Sequence, residues 1–181
     1  MVAAMLNAPS PLAALVYDDG QDPDALLRNF AAELIGQGLR AVGLVQLGDA
    51  SGAAPRLSAL LVHSGEEMRL FQDLGPGATG CKLDLGQLLA AGSHVASAID
   101  AGADLVIINR FGRQERDGRG LSYLIERALS ADIPVVIAVP MARLDDWTAF
   151  SDGMATRLAC DRASLEMWWQ SVSAPRAAEV V

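Results

Sequence analysis

Lysine is almost absent from this sequence, since Lys82 is its only lysine among 14 basic residues. Acidic residues number 22, which leaves a net charge of −8. A broad nucleic-acid surface needs clustered positive charge to meet phosphates. We therefore expect no nucleic-acid partner, although a local anion site on an acidic protein stays compatible with this composition.

Cysteines and long hydrophobic runs are also scarce. Cys81 and Cys160 are too few for a disulfide framework. Apolar runs such as residues 134–139 are far shorter than the roughly 20 residues of a membrane-spanning helix. The segment 1–11 lacks the positively charged start of a secretory signal. These features predict a cytoplasmic protein without a membrane partner, and they leave a homo-oligomer open.

Short apolar runs alternate with helical patterns along the chain. This alternation predicts an α/β fold of three layers, a mostly parallel sheet with helices on both faces. The apolar stretches on either side of Gly65, residues 57–64 and 68–72, predict an inserted β-hairpin. One domain is expected over residues 12–172, between a flexible N-terminus, 1–11, and a flexible C-terminal tail, 173–181. The predicted strands of the main sheet are 12–17, 41–47, 105–109, 133–139 and 156–160.

The first candidate site is the acidic turn after the first strand, Tyr17-Asp18-Asp19-Gly20-Gln21-Asp22-Pro23-Asp24. Nucleotide-binding folds hold phosphates at this position, with backbone N–H groups and a lysine of the pattern G-x-x-x-x-G-K-[ST]. No lysine is present here, and the aspartates would repel a triphosphate unless a cation intervened. The alternative is a solvated turn in which Asp22 caps the following helix, with Pro23 at the first helical position.

The second candidate is a glycine-rich loop, Gly75-Pro76-Gly77-Ala78-Thr79-Gly80-Cys81-Lys82. It matches G-x-G-x-x-G and misses the P-loop pattern by one inserted residue, Cys81. Exposed N–H groups and Lys82 could cradle an oxyanion ahead of a helix that Asp84 and Gln87 predict. The alternative is a flexible loop with an incidental lysine.

The third candidate follows the most hydrophobic strand and spans Asn109 to Gly120. In phosphate-transfer folds this strand ends in an aspartate that holds magnesium, and Asn109 stands there with no charge to offer. Arg110, Arg113 and Arg119 could instead meet an oxyanion in fork geometry, and Glu115 could orient a water molecule. The alternative is a solvated loop with weak ion pairs.

Three blocks, residues 17–26, 72–84 and 109–120, together with Gly43 to Gln46 and the tryptophans Trp168 and Trp169, resemble the bacterial domain-of-unknown-function family numbered 2478. The resemblance covers nearly the whole chain. That family looks like a relative of small P-loop nucleoside-triphosphatases, in which a strand ending Asp-Glu-Ile-Gly carries the metal and the catalytic acid. Asn109-Arg110-Phe111-Gly112 stands in its place, and Glu115 would align with the second acid. The resemblance also implies a genomic setting near molybdenum-uptake or nitrogen-fixation genes.

These observations favour a P-loop-like module with degenerate motifs that binds a small anionic ligand, a nucleotide or an oxyanion such as molybdate. The alternatives are a slow nucleoside-triphosphatase using Glu115 and Mg²⁺ with its nucleotide, and a protein-interaction scaffold with a dead nucleotide site. The predicted ligand-binding residues are Asp18, Asp19, Gly20, Gln21, Gln46, Gly77, Gly80, Cys81, Lys82, Asn109, Arg110, Phe111, Gly112, Arg113 and Arg119.

Overall fold

The computed structural model describes residues 9–47, 58–72 and 82–178 of the chain. Seven strands form one sheet in the order β4-β3-β2-β7-β8-β1-β9. The five strands β2, β7, β8, β1 and β9 are parallel, and β3 and β4 add antiparallel at one end. The strands are β1 Leu12–Tyr17, β2 Ala41–Leu47, β3 Ser58–Leu61, β4 Glu67–Arg69, β5 Phe71–Gln72, β6 Lys82–Leu83, β7 Leu105–Arg110, β8 Val135–Pro140 and β9 Thr156–Ala159.

Helices cover both faces of the sheet, which confirms the predicted three-layer α/β fold. Leucine, alanine and tryptophan side chains of α1 and α6 pack on one face, and those of α2, α4 and α5 pack on the other. The central strands β1 and β8 are buried almost completely, as parallel strands covered on both faces should be. The helices are α1 Pro23–Gly36, α2 Leu85–Asp100, α3 Arg113–Arg116, α4 Ser122–Ser130, α5 Leu144–Phe150 and α6 Arg162–Ala178.

The helix starts predicted from capping residues are confirmed. The Asp22 carboxylate accepts a hydrogen bond of 2.9 Å from the Ala25 N–H, and Pro23 opens α1. Asp84 caps α2 in the same way through the Gln87 N–H at 3.1 Å. Each carboxylate satisfies one N–H group that the first turn of a helix leaves without an intrahelical partner.

The predicted hairpin around Gly65 is present as β3 and β4, and it extends the main sheet beyond β2. Its second strand is shorter than predicted, because β4 ends at Arg69. Leu70 turns into the core, and Phe71–Gln72 then pairs with Lys82–Leu83 in a separate two-stranded ladder. The antiparallel addition is the one departure from βα alternation in the described sheet.

Trp168 and Trp169 pack α6 onto the sheet, and they are 3% and 9% exposed. The helix continues to Ala178, past residue 172 where the sequence placed the domain boundary. Both tryptophans are therefore core residues of the α1–α6 face. No helix within the described ranges is long and apolar enough to cross a membrane.

Candidate functional site

A β-bulge interrupts β7 where the sequence predicted a site residue. Ile108 pairs with Ile137 of β8, but Arg110 pairs with the very next residue, Ala138, so Asn109 is the extra residue. Without the bulge, strand alternation would set Arg110 opposite Val139, whose side chain belongs to the α2–α4 face. The bulge therefore turns Arg110 toward the α1 face of the sheet, a re-aiming typical of bulges beside functional sites.

Arg110 reaches across β8 to the first turn of α1. Two strand spacings of about 4.8 Å separate β7 from β1. The guanidinium Nη2 of Arg110 donates to Asp24 Oδ2 in an ion pair, and its centre lies 5.3 Å from the ring centroid of Tyr17. Asp24 is buried and Arg110 is half-buried. Arg110 thus links the end of β7 to the end of β1 and the start of α1 at one edge of the sheet.

The pKa values of Arg110 and Tyr17 are set by burial and by the charged groups around them. Burial alone would lower the pKa of Arg110, but the hydrogen bond to Asp24 and the charge of that carboxylate outweigh burial and raise it. For the Tyr17 hydroxyl, burial raises the pKa. The positive charge of Arg110 lowers it, but by less. Arg110 therefore stays cationic, and its Nε is buried without a hydrogen-bond partner among the described residues.

The acidic turn between β1 and α1 is closed by its own side chains. The Gln21 amide oxygen accepts from the Asp18 N–H at 2.8 Å, and the Gln21 N–H donates to the Asp18 carbonyl oxygen at 3.1 Å. Gly20 adopts φ +89° in this turn, and Asp18, Asp19 and Gln21 are exposed. Asp22 is the helix cap, so the alternative interpretation of the turn is confirmed for that residue.

Phe111 was predicted to contact the ligand, but its side chain is fully buried. The ring packs edge-on against Trp147 at a centroid distance of 5.2 Å and tilts against Phe150 at 5.4 Å. The Phe111 N–H donates to the Ala138 carbonyl oxygen at 2.8 Å. This aromatic cluster packs the start of the arginine-rich loop, residues 109–120, against α5. Phe111 is therefore a core residue in this structure.

Glu115 is buried beneath the arginine-rich loop, and its carboxylate holds two ends of that loop together. Oε2 accepts from the Gly112 N–H at 3.0 Å, and Oε1 accepts from the Leu121 N–H at 3.3 Å. These bonds fold residues 113–116 into the short helix α3, where the sequence predicted an irregular loop. A side chain at position 120 would have no space, since a Cβ there would lie 2.5 Å from Oε1 of Glu115. The contacts give Glu115 an organising role, and its water-orienting role stays a prediction.

Replacement of Glu115 by glutamine is expected to lower the free energy of unfolding by about 1–3 kcal/mol. Glutamine keeps the shape but offers one oxygen, so one of the two buried N–H groups would face an amide NH₂ instead of an acceptor. Urea unfolding of the variant would measure this loss. Glu126→Gln, on the exposed face of α4, is the matched control and should leave stability unchanged. Equal stability of both variants would contradict the organising role.

The remaining arginines of the loop differ in their engagement. Arg116 contacts Asp117 and Asp146, at 3.2 and 3.7 Å. Arg113 and Arg119 are exposed, and neither forms an ion pair with a residue that the structure describes. They follow β7 at the carboxyl edge of the parallel strands, where α/β proteins bind ligands.

The other predicted residues are spread more widely. Gln46 lies in β2, half-buried and opposite Ala59 of β3. The backbone of Lys82 is in β6 and that of Asn109 is in the bulge, while Gly112 precedes α3. Gly77, Gly80 and Cys81 lie outside the described residues. Tyr17 and Asp24 belong to the first candidate turn, but neither was among the predicted ligand-binding residues, and nothing in the sequence indicated their contact with Arg110.

A magnesium nucleotide does not fit the turn that replaces the P-loop. Asp22 already takes the Ala25 N–H, Pro23 has no N–H, and Arg110 is held by Asp24. A phosphate at this helix end would displace one carboxylate and approach three more. Within the described ranges no three His, Cys, Asp or Glu side chains are grouped to hold a metal ion. We therefore derive no hydrolytic step from this turn.

Comparison with curated proteins shows a relative that, by its name, imports molybdenum. The chain is 41% identical over 167 residues to "Molybdenum import ATP-binding protein ModC 2" of Bradyrhizobium diazoefficiens. The match covers 91% of this chain and 19% of that protein. The chain thus spans about a fifth of the length of the relative it matches.

Two solved structures share the fold. The solution structure of a human cancer-related nucleoside triphosphatase has a TM-score of 0.58 at 15% identity, with 93% of this chain and 96% of that chain covered. The crystal structure of THEP1 from the hyperthermophile Aquifex aeolicus has a TM-score of 0.58 at 10% identity, covering 88% and 95%. The chain accordingly shares the α/β fold of these two structures. A family model described as "Protein of unknown function (DUF2478)" matches residues 12–168, and the chain belongs to this family.

Proposed function

We propose that this chain is a binding module for a small tetrahedral oxyanion, such as molybdate, held at the carboxyl edge of the sheet. The observation that carries the proposal is the pair of exposed arginines, Arg113 and Arg119, on a loop whose base is fixed by Glu115. Free guanidinium groups on an anchored loop can bind oxyanions in fork geometry without first breaking an ion pair.

The charge around the site favours a compact anion over a nucleotide. The arginine-rich loop supplies positive charge, but the neighbouring turn carries Asp18, Asp19 and Asp22. A triphosphate extended toward that turn would meet like charges a few Å away, at a cost on the order of 1 kcal/mol each even in water. A tetrahedral dianion can contact the arginines alone. Lys82 and the glycine-rich loop before α2 are proposed as further contributors.

The curated relative supports the choice of ligand. Its name assigns it to molybdenum import, and a segment 41% identical to this chain is part of it. Segments joined in one protein commonly serve one process. We therefore propose that this chain binds the oxyanion that the same process imports. In this proposal the chain regulates transport and does not drive it.

Isothermal titration tests the proposal directly. Molybdate should bind the wild-type chain, and the double variant Arg113→Gln/Arg119→Gln should bind it at least about ten-fold more weakly, since each charge-assisted hydrogen bond contributes about 1.5–3 kcal/mol. Arg127→Gln is the matched control. Arg127 is paired with Asp100 near the opposite edge of the sheet, so its loss should leave affinity unchanged.

Two outcomes would contradict the proposal. One is the absence of heat with molybdate at millimolar concentration. The other is heat with ATP and magnesium alone, which would favour the nucleoside-triphosphatase alternative. In that case, phosphate release that depends on Glu115 would assign this residue the water-orienting role.

A further inference from the structure

Two further arginines meet at a single carboxylate on the same edge of the sheet. Arg116 belongs to α3, and Arg143 lies in the turn between β8 and α5. The Nη1 atoms of Arg116 and Arg143 lie 3.7 Å and 3.8 Å from the same atom, Asp146 Oδ2. Both segments follow parallel strands, β7 and β8. The three side chains therefore lie at the carboxyl edge, where α/β proteins bind ligands.

The contacts of these arginines with Asp146 are too long for hydrogen bonds. An N–H group and its acceptor oxygen are normally about 2.7–3.2 Å apart between heavy atoms. The Arg143 guanidinium donates no hydrogen bond to a residue that the structure describes. The Arg116 guanidinium donates only its Nε–H, to Asp117. Asp146 thus lies between two guanidinium groups as a counter-ion, and their Nη donors stay available.

This ion-pair cluster is exposed and can exchange its anion. The side chains of Arg116, Arg143 and Asp146 are 42%, 32% and 40% exposed, and ion pairs between such side chains contribute little to stability. Arg110 differs, because its partner Asp24 is buried and accepts a hydrogen bond from it. Displacement of Asp146 therefore costs little, whereas displacement of Asp24 would disturb the core.

The two segments that carry the arginines are held against each other. Phe111 precedes α3 and packs edge-on against Trp147 of α5 at a centroid distance of 5.2 Å. Glu115, directly before Arg116, is buried and accepts two backbone N–H bonds. An anion that enters between Arg116 and Arg143 therefore meets two segments already in place, and it need not order a loop first.

We propose that Arg116 and Arg143 form a second oxyanion-binding pair, and that Asp146 occupies it until a dianion displaces the carboxylate. The proposal rests on the oxyanion-binding function proposed above and extends that site beyond Arg113 and Arg119, which lie on the same loop. Carboxylates and oxyanions both accept hydrogen bonds from guanidinium groups in fork geometry. Asp146 is then an internal competitor, and it lowers the apparent affinity for the ligand by the fraction of sites that it fills.

Isothermal titration of the full chain with molybdate tests this proposal through two opposite effects. Arg143→Gln should weaken binding at least about ten-fold, because it removes a charge-assisted donor. Asp146→Asn should strengthen binding about five-fold, because it removes a like charge about 4 Å from the bound anion. Asp145→Asn is the matched control. Asp145 is the neighbouring residue of α5, exposed and without an ion pair among the described residues, so salt at about 0.15 M should screen its effect to less than about two-fold.

Each contrary result has a distinct meaning. Unchanged affinity of Arg143→Gln would overturn the second pair, and equal affinities of Asp146→Asn and Asp145→Asn would overturn the competitor role. If Arg113→Gln/Arg119→Gln loses molybdate and Arg143→Gln does not, the proposed function stands and this inference fails. If Arg143→Gln loses molybdate and the double variant does not, this inference stands and the assignment to Arg113 and Arg119 fails. Absence of heat with every variant, Asp146→Asn included, would reject both.

Discussion

Substitution of Gly43 by alanine is expected to destabilise the fold by at least about 4 kcal/mol, a loss large enough to prevent folding at 37 °C. Gly43 lies in β2 opposite Ile107 of β7, and its φ of +144° is rare for residues with a side chain. A Cβ at this position would lie 1.9 Å from the Ile107 carbonyl oxygen. That oxygen belongs to the backbone of a central strand, so it cannot move aside without breaking the pairing of β2 with β7.

Urea unfolding, or the yield of folded protein where the variant is insoluble, would measure this effect. Gly36→Ala is the matched control, because Gly36 ends α1 with ordinary φ and has nothing within 4 Å of the added methyl group. Alanine should stabilise the chain at that position by about 0.5–1 kcal/mol. A Gly43→Ala variant as stable as the wild type would show that β2 and β7 do not approach as closely as described.

Loss of the Asp24 carboxylate is expected to have the second largest effect. Asparagine at position 24 would leave the Arg110 guanidinium half-buried against Tyr17 without its charged partner. Removal of one partner from a fully buried pair costs about 3–5 kcal/mol. Because the Arg110 side chain is 37% exposed and water can reach it, we expect about 2 kcal/mol here.

A double-mutant cycle separates this pair from its surroundings. Asp24→Asn and Arg110→Gln should each destabilise the chain, and the double variant should lose less than their sum. Asp100→Asn, which breaks the exposed pair with Arg127, is the control and should cause no measurable change. Additive losses in the cycle would show that Asp24 and Arg110 do not depend on each other.

The sequence predicted the elements whose signals are local. Asp22 and Pro23 marked the start of α1, Asp84 and Gln87 marked that of α2, and the apolar run 105–109 marked a buried central strand. These predictions hold because capping and burial on both faces of a sheet leave their pattern within a few neighbouring residues. The α/β class followed from the order of such elements.

The candidate site was harder to predict from the sequence, because its key contacts join residues far apart in sequence. Asn109 was identified as a departure from the expected aspartate, but nothing in the sequence indicates that it forms a bulge. The bulge decides which face Arg110 points to, and so it decides that Arg110 meets Asp24 and not the aromatic cluster. A pattern of alternating side chains in the sequence assumes a regular strand, so it does not reveal one extra residue.

Two predicted site residues have structural tasks that no local pattern reveals. Phe111 follows a strand end, where side chains often face a ligand, yet it packs against Trp147 and Phe150. Glu115 is surrounded in sequence by arginines, which indicates a solvated loop, yet it is buried and bonded to Gly112 and Leu121. Both tasks depend on tertiary contacts with later parts of the chain, α5 and the start of α4.

The central claim is that Arg113 and Arg119 receive an oxyanion at the carboxyl edge of the parallel strands. Anomalous diffraction from crystals soaked in sodium molybdate tests it most directly, because molybdenum marks its own position. We expect a molybdenum peak beside this loop, with the molybdate oxygens about 3 Å from the guanidinium nitrogens of Arg113 or Arg119. A peak found only at the opposite edge of the sheet, or no peak at a concentration that saturates the titration, would contradict it.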